Sequence, residues 1–283
     1  MSHTTLISAA ELKNLLVQPT PPIVLDTSFD LADTEAGERA YREAHLPGAH
    51  YVHLNRDLSA PKTGHNGRHP LPPREAFAAI VGRLGISTAS QVVVLDRQGS
   101  MFAVRAWWML KWLGHKCVAV LDGGFQAWQA AGGAVTNELP SESRGAPYPL
   151  GASLVRTVDA DALQQTLHSP GLQLIDARAP ERYRGDVEPI DPVAGHIPGA
   201  LNRPFKDNLD ASGRFKPEVE LRADFEALLG GRDASAVVHQ CGSGVTAIHN
   251  LLAMDIAGLG GSSLYPGSWS EWCADPDRPV AKG

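Results

Sequence analysis

An internal duplication constrains the fold of this chain more than any other feature of its sequence. The turn His45-Leu46-Pro47-Gly48-Ala49 recurs 151 positions later as His196-Ile197-Pro198-Gly199-Ala200. Further along, residues 93–128 match residues 237–272 at a constant offset of 144. Such a repeat is far too long for a solenoid, whose units span about 20 to 50 residues. The duplication therefore predicts two copies of one domain.

Each copy alternates short apolar runs with segments of helical length. In the first copy, Ile23–Asp26 and Val92–Leu95 are candidates for buried strands, and Ser8 is a candidate helix cap. In the second copy, residues 172–176 and 236–240 are the corresponding strand candidates. This alternation predicts an α/β fold, in which each domain is a parallel sheet with helices on both faces. Functional groups are then expected at the carboxyl ends of the strands.

The boundary between the copies is predicted from composition. Residues 139–155 are rich in Pro, Ser and Gly, as an exposed connection should be. We therefore expect a first domain over residues 1–138, a linker over 139–155 and a second domain over 156–283.

Overall composition excludes several classes of protein. With 43% hydrophobic and 20% charged residues, the chain is typical of a globular protein rather than a disordered or fibrous one. The net charge is -6 and the basic residues are scattered, so nucleic acid is not an expected partner. No apolar run reaches the length of a membrane span. We expect a cytoplasmic protein, because no targeting signal is evident and three widely spaced cysteines suit neither a disulfide framework nor a metal site.

The segment with the clearest chemistry is Cys241-Gly242-Ser243-Gly244-Val245-Thr246, which lies between a predicted strand and a predicted helix. Gly242 and Gly244 permit a tight loop, so that successive backbone N–H groups, including those of Val245 and Thr246, can surround the Cys241 sulfur. Together with the positive end of the following helix, such a loop favours a thiolate at neutral pH. The alternative is a cysteine that is simply a buried hydrophobic residue.

The first copy provides an internal comparison for this loop. Arg97 stands where the second copy has Cys241, and neither position 98 nor position 100 is glycine. We therefore expect only the second copy to be catalytic.

At this point the chain resembles the tandem rhodanese-like sulfurtransferases, which have a catalytic second domain and a degenerate first domain. The resemblance rests on segment 241–246, on the paired turns at His45 and His196, and on the ending Tyr265–Trp272. The loop is similar to that of 3-mercaptopyruvate sulfurtransferases, whereas many thiosulfate sulfurtransferases have basic residues directly after the cysteine. The resemblance as a whole implies two tandem rhodanese-like domains.

The resemblance also implies a reaction in two steps. The Cys241 thiolate takes sulfur from 3-mercaptopyruvate or thiosulfate, and the resulting persulfide passes it to a thiol, a thioredoxin-like protein or cyanide. No metal or organic cofactor is implied.

Further site residues follow from the same resemblance. Asp57, His69 and Ser243 resemble a proton relay, and Arg68 and Arg182 match arginines that bind the carboxylate of the donor. Three of these residues have an alternative role on sequence alone: a turn histidine for His69, a turn cap for Asp57 and a surface helix residue for Arg182.

One departure from the mercaptopyruvate pattern leaves the choice of donor open. A second arginine expected soon after Glu188-Pro189 is absent, and Ile190-Asp191 stand there instead. Arg184 is a candidate substitute.

Two rival functions use the same loop differently. A cysteine phosphatase or arsenate reductase would need an arginine that closes the loop, but Ala247 stands at the corresponding position. A non-catalytic redox-sensing module would use Cys241 only for regulation. Among the other cysteines, Cys117 is expected to be buried, and Cys273 to be either buried or a slow redox partner. Trp107, Trp108 and Trp112 are expected in the core or in a contact between the domains.

Overall fold

The computed structural model describes residues 2–141, 145–167, 169 and 171–283. The chain divides into two compact units. Unit 1 comprises residues 1–59, 72–154 and 212–214, and unit 2 comprises residues 60–71, 155–211 and 215–283. Unit 2 thus contains a segment from each half of the chain. The linker proposed for residues 139–155 stays a prediction, and residues 142–144 within it lie outside the described residues.

The sheet of unit 1 has five strands. They are Leu6–Ile7 (β1), Ile23–Asp26 (β2), His50–Tyr51 (β3), Val92–Leu95 (β4) and Val118–Leu121 (β5). Their order is β1-β5-β4-β2-β3, and neighbouring strands are parallel. Every residue of β4 and β5 is fully buried. These central strands are therefore covered on both faces, which explains why each is a continuous apolar run rather than an alternating one.

The sheet of unit 2 repeats this topology. Its strands are Arg156–Thr157 (β6), Gln173–Asp176 (β7), Leu201–Asn202 (β8), Val237–Gln240 (β9) and Ser263–Leu264 (β10). Their order is β6-β10-β9-β7-β8, again with parallel neighbours. The prediction of two parallel α/β domains is confirmed. Because β9 is the central strand, the residue after Gln240 lies in the middle of the carboxyl edge of the sheet.

Each unit also has five α-helices among the described residues. Those of unit 1 are Ala9–Leu16 (α1), Ala36–Glu43 (α2), Arg74–Arg83 (α3), Ala103–Trp112 (α4) and Gly124–Ala130 (α5). Those of unit 2 are Ala160–Thr166 (α6), Pro180–Arg184 (α7), Glu218–Leu229 (α8), Ala247–Ile256 (α9) and Ser268–Trp272 (α10). None of the helices found in the described chain combines the length and the hydropathy needed to cross a membrane.

The first helix of each unit begins at a side-chain cap. Ser8 accepts the N–H of Glu11, whose carboxylate accepts the N–H of Ser8 in return, so the predicted helix start is confirmed. Asp159 caps α6 by accepting the N–H of Ala162 at 2.8 Å. A short polar side chain thus fixes the start of the first helix in both units.

The duplicated turn is held by the same contacts in both units. His45 stacks on Tyr41 with ring centroids 4.0 Å apart, and its Nδ1 lies 2.7 Å from the Tyr41 carbonyl oxygen. His196 stacks on Tyr183 at 3.8 Å, with Nδ1 2.8 Å from the Tyr183 carbonyl oxygen. The histidine of this turn therefore has a structural role.

Two side predictions have different outcomes. Trp107 and Trp108 are each 1% exposed and belong to the core of unit 1, as expected, whereas Trp112 is only partly buried and stacks on Trp108. Cys117 is only partly buried, so its prediction as a buried residue is wrong. It precedes β5 instead of lying within the strand, and its side chain is not enclosed by the sheet.

Candidate functional site

Cys241 directly follows β9, at the carboxyl edge of the sheet of unit 2, and is 1% exposed. Its N–H donates to the Ser268 hydroxyl at 3.1 Å, and its carbonyl accepts the N–H of Trp269 at 3.0 Å. Both partners belong to α10. The start of that helix therefore fixes the backbone of Cys241, and the surrounding residues screen its sulfur from bulk solvent.

The loop after Cys241 depends on glycine at one position. Gly244 has φ +70°, and a Cβ atom there would lie 2.0 Å from the Pro266 carbonyl oxygen. Both the left-handed conformation and the close approach exclude a larger residue. Four N–H groups of this loop donate to no backbone or side-chain acceptor in the described part of the chain: those of Gly242, Ser243, Val245 and Thr246. These groups are available to an anion.

The matching loop of unit 1 shows what such N–H groups bind. The Asp96 carboxylate, which is fully buried, accepts four loop N–H groups at 2.7 to 2.9 Å: those of Gln98, Ser100, Phe102 and Ala103. At the matched positions, the backbones of Ser100 and Gly244 have similar φ values of +67° and +70°. A loop at this place in the fold therefore holds a carboxylate in unit 1.

In the described part of unit 2, no carboxylate takes the place of Asp96 at the loop. Gln240 is the counterpart of Asp96, and both polar atoms of its buried amide lack a hydrogen-bond partner among the described residues. The units thus differ at this strand-end position, where unit 1 has a carboxyl side chain and unit 2 has an amide.

Arg97 takes the position of Cys241 in unit 1. Its Nη1 lies 2.7 Å from an Asp26 carboxylate oxygen at the end of β2, and its guanidinium stacks over Phe125 at 4.0 Å. A stably ion-paired cation thus stands in unit 1 where unit 2 has Cys241.

Arg178 makes the equivalent contacts in unit 2, and it is a residue that the sequence analysis missed. It pairs with Asp176 at the end of β7 at 2.7 Å and stacks over Trp269 at 4.8 Å. Trp269 is the counterpart of Phe125. The sequence could have indicated this arginine, because Asp26 and Asp176 are matched residues that each end a buried strand. A buried carboxylate requires a cationic partner.

Arg178 is a permanent positive charge beside Cys241. Burial alone would lower the pKa of its guanidinium, but attraction to Asp176, Glu188 and Cys241 outweighs burial, so the pKa lies above its usual value. Arg178 is thus a protonated guanidinium whose charge is balanced by its ion pairs with Asp176 and Glu188.

Arg68 and Arg182 both reach the loop. A Cβ atom at Gly242 would lie 2.8 Å from Arg68 Nη2 and 3.6 Å from Arg182 Nη1. Arg182, on α7, pairs with Glu188 at 2.7 Å, and its side chain is 17% exposed, so it is not a surface helix residue. The two arginines are thus placed beside the loop as expected, while their binding of a donor carboxylate stays a prediction. Arg184 points elsewhere: it is half-exposed and pairs with Asp186.

Two of the three proposed relay residues meet in unit 2. His69 is 4% exposed, and its Nδ1 lies 2.7 Å from the Ser243 hydroxyl oxygen. Asp57 belongs to unit 1, where its carboxylate accepts the N–H of His53 at 2.8 Å, which is the turn-capping arrangement. Its participation in a relay stays a prediction.

Cys273 is chemically unlike a reactive cysteine. It is 7% exposed, and burial raises the pKa of its thiol to about 11, so it is neutral at physiological pH. Across the described residues, no group of three or more His, Cys, Asp or Glu side chains could hold a metal ion.

Known proteins resemble this chain over its whole length. The rhodanese-like domain family matches residues 8–131 and 159–275. A probable 3-mercaptopyruvate sulfurtransferase of Pseudomonas aeruginosa is 50% identical over 100% of both chains. A putative thiosulfate sulfurtransferase of Mycobacterium tuberculosis is 41% identical over 98% of this chain and 97% of that protein.

A solved structure agrees with these relatives. The crystal structure of a 3-mercaptopyruvate sulfotransferase from Escherichia coli has a TM-score of 0.80 at 29% identity, covering 94% of this chain and 99% of that one. Together with the matched loops, sheets and turns, these similarities show that the chain belongs to the rhodanese family of sulfurtransferases, with one rhodanese-like domain in each half.

Proposed function

We propose that this enzyme moves a sulfane sulfur from 3-mercaptopyruvate or thiosulfate to a thiol or cyanide acceptor, through a persulfide on Cys241. The observation that carries the proposal is that four N–H groups next to Cys241 have no acceptor among the described residues, namely those of Gly242, Ser243, Val245 and Thr246. The matching loop of unit 1 supports it, because its N–H groups bind the carboxylate of Asp96. Catalysis would be confined to the second domain, since Arg97 replaces the nucleophile in the first.

The proposed reaction balances in two displacements. The Cys241 thiolate attacks the transferable sulfur of the donor, which is the thiol sulfur of 3-mercaptopyruvate or the outer sulfur of thiosulfate. A new S–S bond forms on Cys241 while the C–S bond of 3-mercaptopyruvate breaks to release pyruvate enolate, or the S–S bond of thiosulfate breaks to release sulfite. An acceptor then attacks the outer sulfur of the persulfide and returns Cys241 as a thiolate. Loop N–H groups would stabilise the charge on the outer sulfur, as an oxyanion hole does for oxygen. The proposed acceptors are cyanide, a small thiol or a thioredoxin-like protein of the cytoplasm.

Single-turnover mass spectrometry tests this proposal. The protein is mixed with each donor in the absence of acceptor, and the peptide that contains Cys241 is expected to gain one sulfur atom. Adding cyanide should remove that atom and release thiocyanate in equal amount. Absence of the adduct with both donors would refute sulfur transfer through Cys241 and would leave the redox-sensing alternative.

The proton relay gives a prediction that separates the two donors. Pyruvate enolate must be protonated on leaving, whereas sulfite leaves as a stable anion. If His69, Asp57 and Ser243 deliver that proton, Ser243→Ala should lower kcat for 3-mercaptopyruvate by about 100-fold, within the usual range for general acid catalysis. The kcat for thiosulfate should change by less than about threefold. Steady-state kinetics with both donors measure the two losses of kcat, whose ratio tests the prediction.

A suitable control is Ser262→Ala, because Ser262 is also a buried serine of unit 2 and lies outside the loop. It should change neither rate. Equal losses with both donors in Ser243→Ala would show that Ser243 shapes the loop instead of transferring a proton.

A further inference from the structure

The two arginines beside the loop share one carboxylate. Asp191 Oδ1 pairs with Arg68 Nη1, and Asp191 Oδ2 lies 3.2 Å from Arg182 Nη2. The Asp191 side chain is 4% exposed. A carboxylate held in this way occupies the guanidinium groups through which a small anion would be bound.

Asp191 differs from the neighbouring carboxylate in how it is held. Glu188 accepts two hydrogen bonds from Arg182 and also the backbone N–H groups of Ile190 and Asp191, so it stabilises its own segment. Within the described residues, the Asp191 carboxylate accepts hydrogen bonds from the two arginines alone. Asp191 can therefore leave the arginines without loss of a backbone contact.

The charges of this cluster cancel internally. The described ion pairs join three guanidinium groups, of Arg68, Arg178 and Arg182, to three carboxylates, of Asp176, Glu188 and Asp191. An anionic donor therefore meets no uncompensated side-chain charge here unless one carboxylate moves away.

The arginines nevertheless face the loop. Arg68 Nη2 and Arg182 Nη1 are the nearest atoms to a Cβ placed on Gly242. Arg68 Nε is buried and has no hydrogen-bond partner in the described chain. The same guanidinium groups thus point one edge toward Asp191 and another toward the residue after Cys241.

We propose that Asp191 is an internal competitor of the sulfur donor, and that the donor binds by replacing Asp191 on Arg68 and Arg182 with its own anionic group. This inference rests on the proposed function and identifies a residue that determines donor affinity. The donor class is a small sulfur compound with a carboxylate or an oxyanion of sulfur, since either can accept two guanidinium groups.

The competition has a pH signature. Burial, together with Glu188, raises the pKa of Asp191 in spite of the opposing attraction of Arg68, Arg182 and Arg178. As pH falls through this raised pKa, Asp191 becomes neutral and releases the arginines, so the KM of an anionic donor should fall. Despite burial, the pKa of neighbouring Glu188 is shifted in the opposite direction by its hydrogen bonds and by Arg182, and burial raises the pKa of Cys273 to about 11.

Asp191→Asn tests the proposal, because it keeps the size of the side chain and removes its charge. At neutral pH, KM for thiosulfate and for 3-mercaptopyruvate should fall by about tenfold, which corresponds to about 1.4 kcal/mol of binding free energy. The inhibition constant of pyruvate, which has the carboxylate but no transferable sulfur, should fall in parallel. The pH dependence of KM seen in the wild type should be reduced in the variant.

Asp186→Asn is the matched control, because it removes a carboxylate of the same segment that pairs with Arg184. It should leave KM unchanged. An unchanged or higher KM in Asp191→Asn, with the Cys241 persulfide still formed, would overturn the competitor role and leave the proposed function intact. Failure to form the persulfide in the wild type would instead refute the proposed function. If Asp191→Asn does not fold, the pH dependence of pyruvate inhibition in the wild type decides: inhibition that does not strengthen on acidification overturns the proposal.

Discussion

Cys241→Ser is expected to lower kcat with either donor by about 10⁴-fold or more, the range seen when a covalent nucleophile is removed. A serine hydroxyl stays protonated near neutral pH and cannot form a persulfide, so both steps of the proposed reaction are lost. The fold should survive, because the change is small and costs about 1 to 3 kcal/mol for one buried hydroxyl. Initial rates and thermal unfolding of the same preparations measure the two effects.

Cys273→Ser is the matched control for this experiment. Cys273 is also a buried cysteine of unit 2, and its thiol is neutral because burial raises its pKa to about 11. Its replacement should leave kcat with both donors unchanged. Appreciable turnover in Cys241→Ser, or loss of turnover in Cys273→Ser, would show that the wrong cysteine has been assigned.

The fold could be predicted largely because the chain contains two copies of it. Apolar runs such as Val92–Leu95 are continuous since both faces of the sheet are covered, and comparison of two copies separates this pattern from chance. The order of strands in the sheet could not be predicted, because it depends on which apolar faces pack together after the chain has crossed over. Cys117 shows the same limit on a small scale, since its burial depends on where β5 begins.

The candidate site could be predicted only where its residues are close together in sequence. Cys241 and its loop form one continuous segment. By contrast, Asp191 pairs with Arg68, which lies more than a hundred positions earlier, and Arg178 pairs with Glu188 within an irregular segment. No periodic pattern records such contacts. The sequence shows that Ile190-Asp191 stand where a second arginine was expected. Only the structure shows that the Asp191 carboxylate contacts Arg68 and Arg182.

Comparison of the two units shows how their matched loops differ. In unit 1, loop N–H groups bind Asp96, and Arg97 at the position matched to Cys241 is ion-paired with Asp26, so the polar groups of this loop have partners within the unit. In unit 2, Gln240 and Cys241 stand at these positions, and the N–H groups of Gly242, Ser243, Val245 and Thr246 have no acceptor in the part of the chain that the structure describes. Buried N–H groups that donate to an acceptor within the protein stabilise the fold. Buried N–H groups without such an acceptor destabilise it but can bind a ligand.

Gly244→Ala is expected to give the second large effect, by deforming the loop that surrounds the sulfur. An alanine at φ +70° is strained by about 1 to 2 kcal/mol. In addition, its Cβ would lie 2.0 Å from the Pro266 carbonyl oxygen, a backbone atom that cannot move without α10. We expect the free energy of unfolding to fall by about 3 kcal/mol or more, since forced overpacking adds about 1 to 3 kcal/mol.

The activity of Gly244→Ala should fall further than its stability alone explains. Displacement of the loop N–H groups by about 1 Å is enough to lower kcat about 100-fold. Gly231→Ala separates the two causes, because Gly231 has a similar φ of +85° in the same unit and its Cβ would meet nothing within 4 Å. That control should show the backbone strain alone, with unchanged kcat. If Gly244→Ala kept full activity with either donor, the loop N–H groups could not be what holds the transferred sulfur, and the proposed mechanism would fail at its central step.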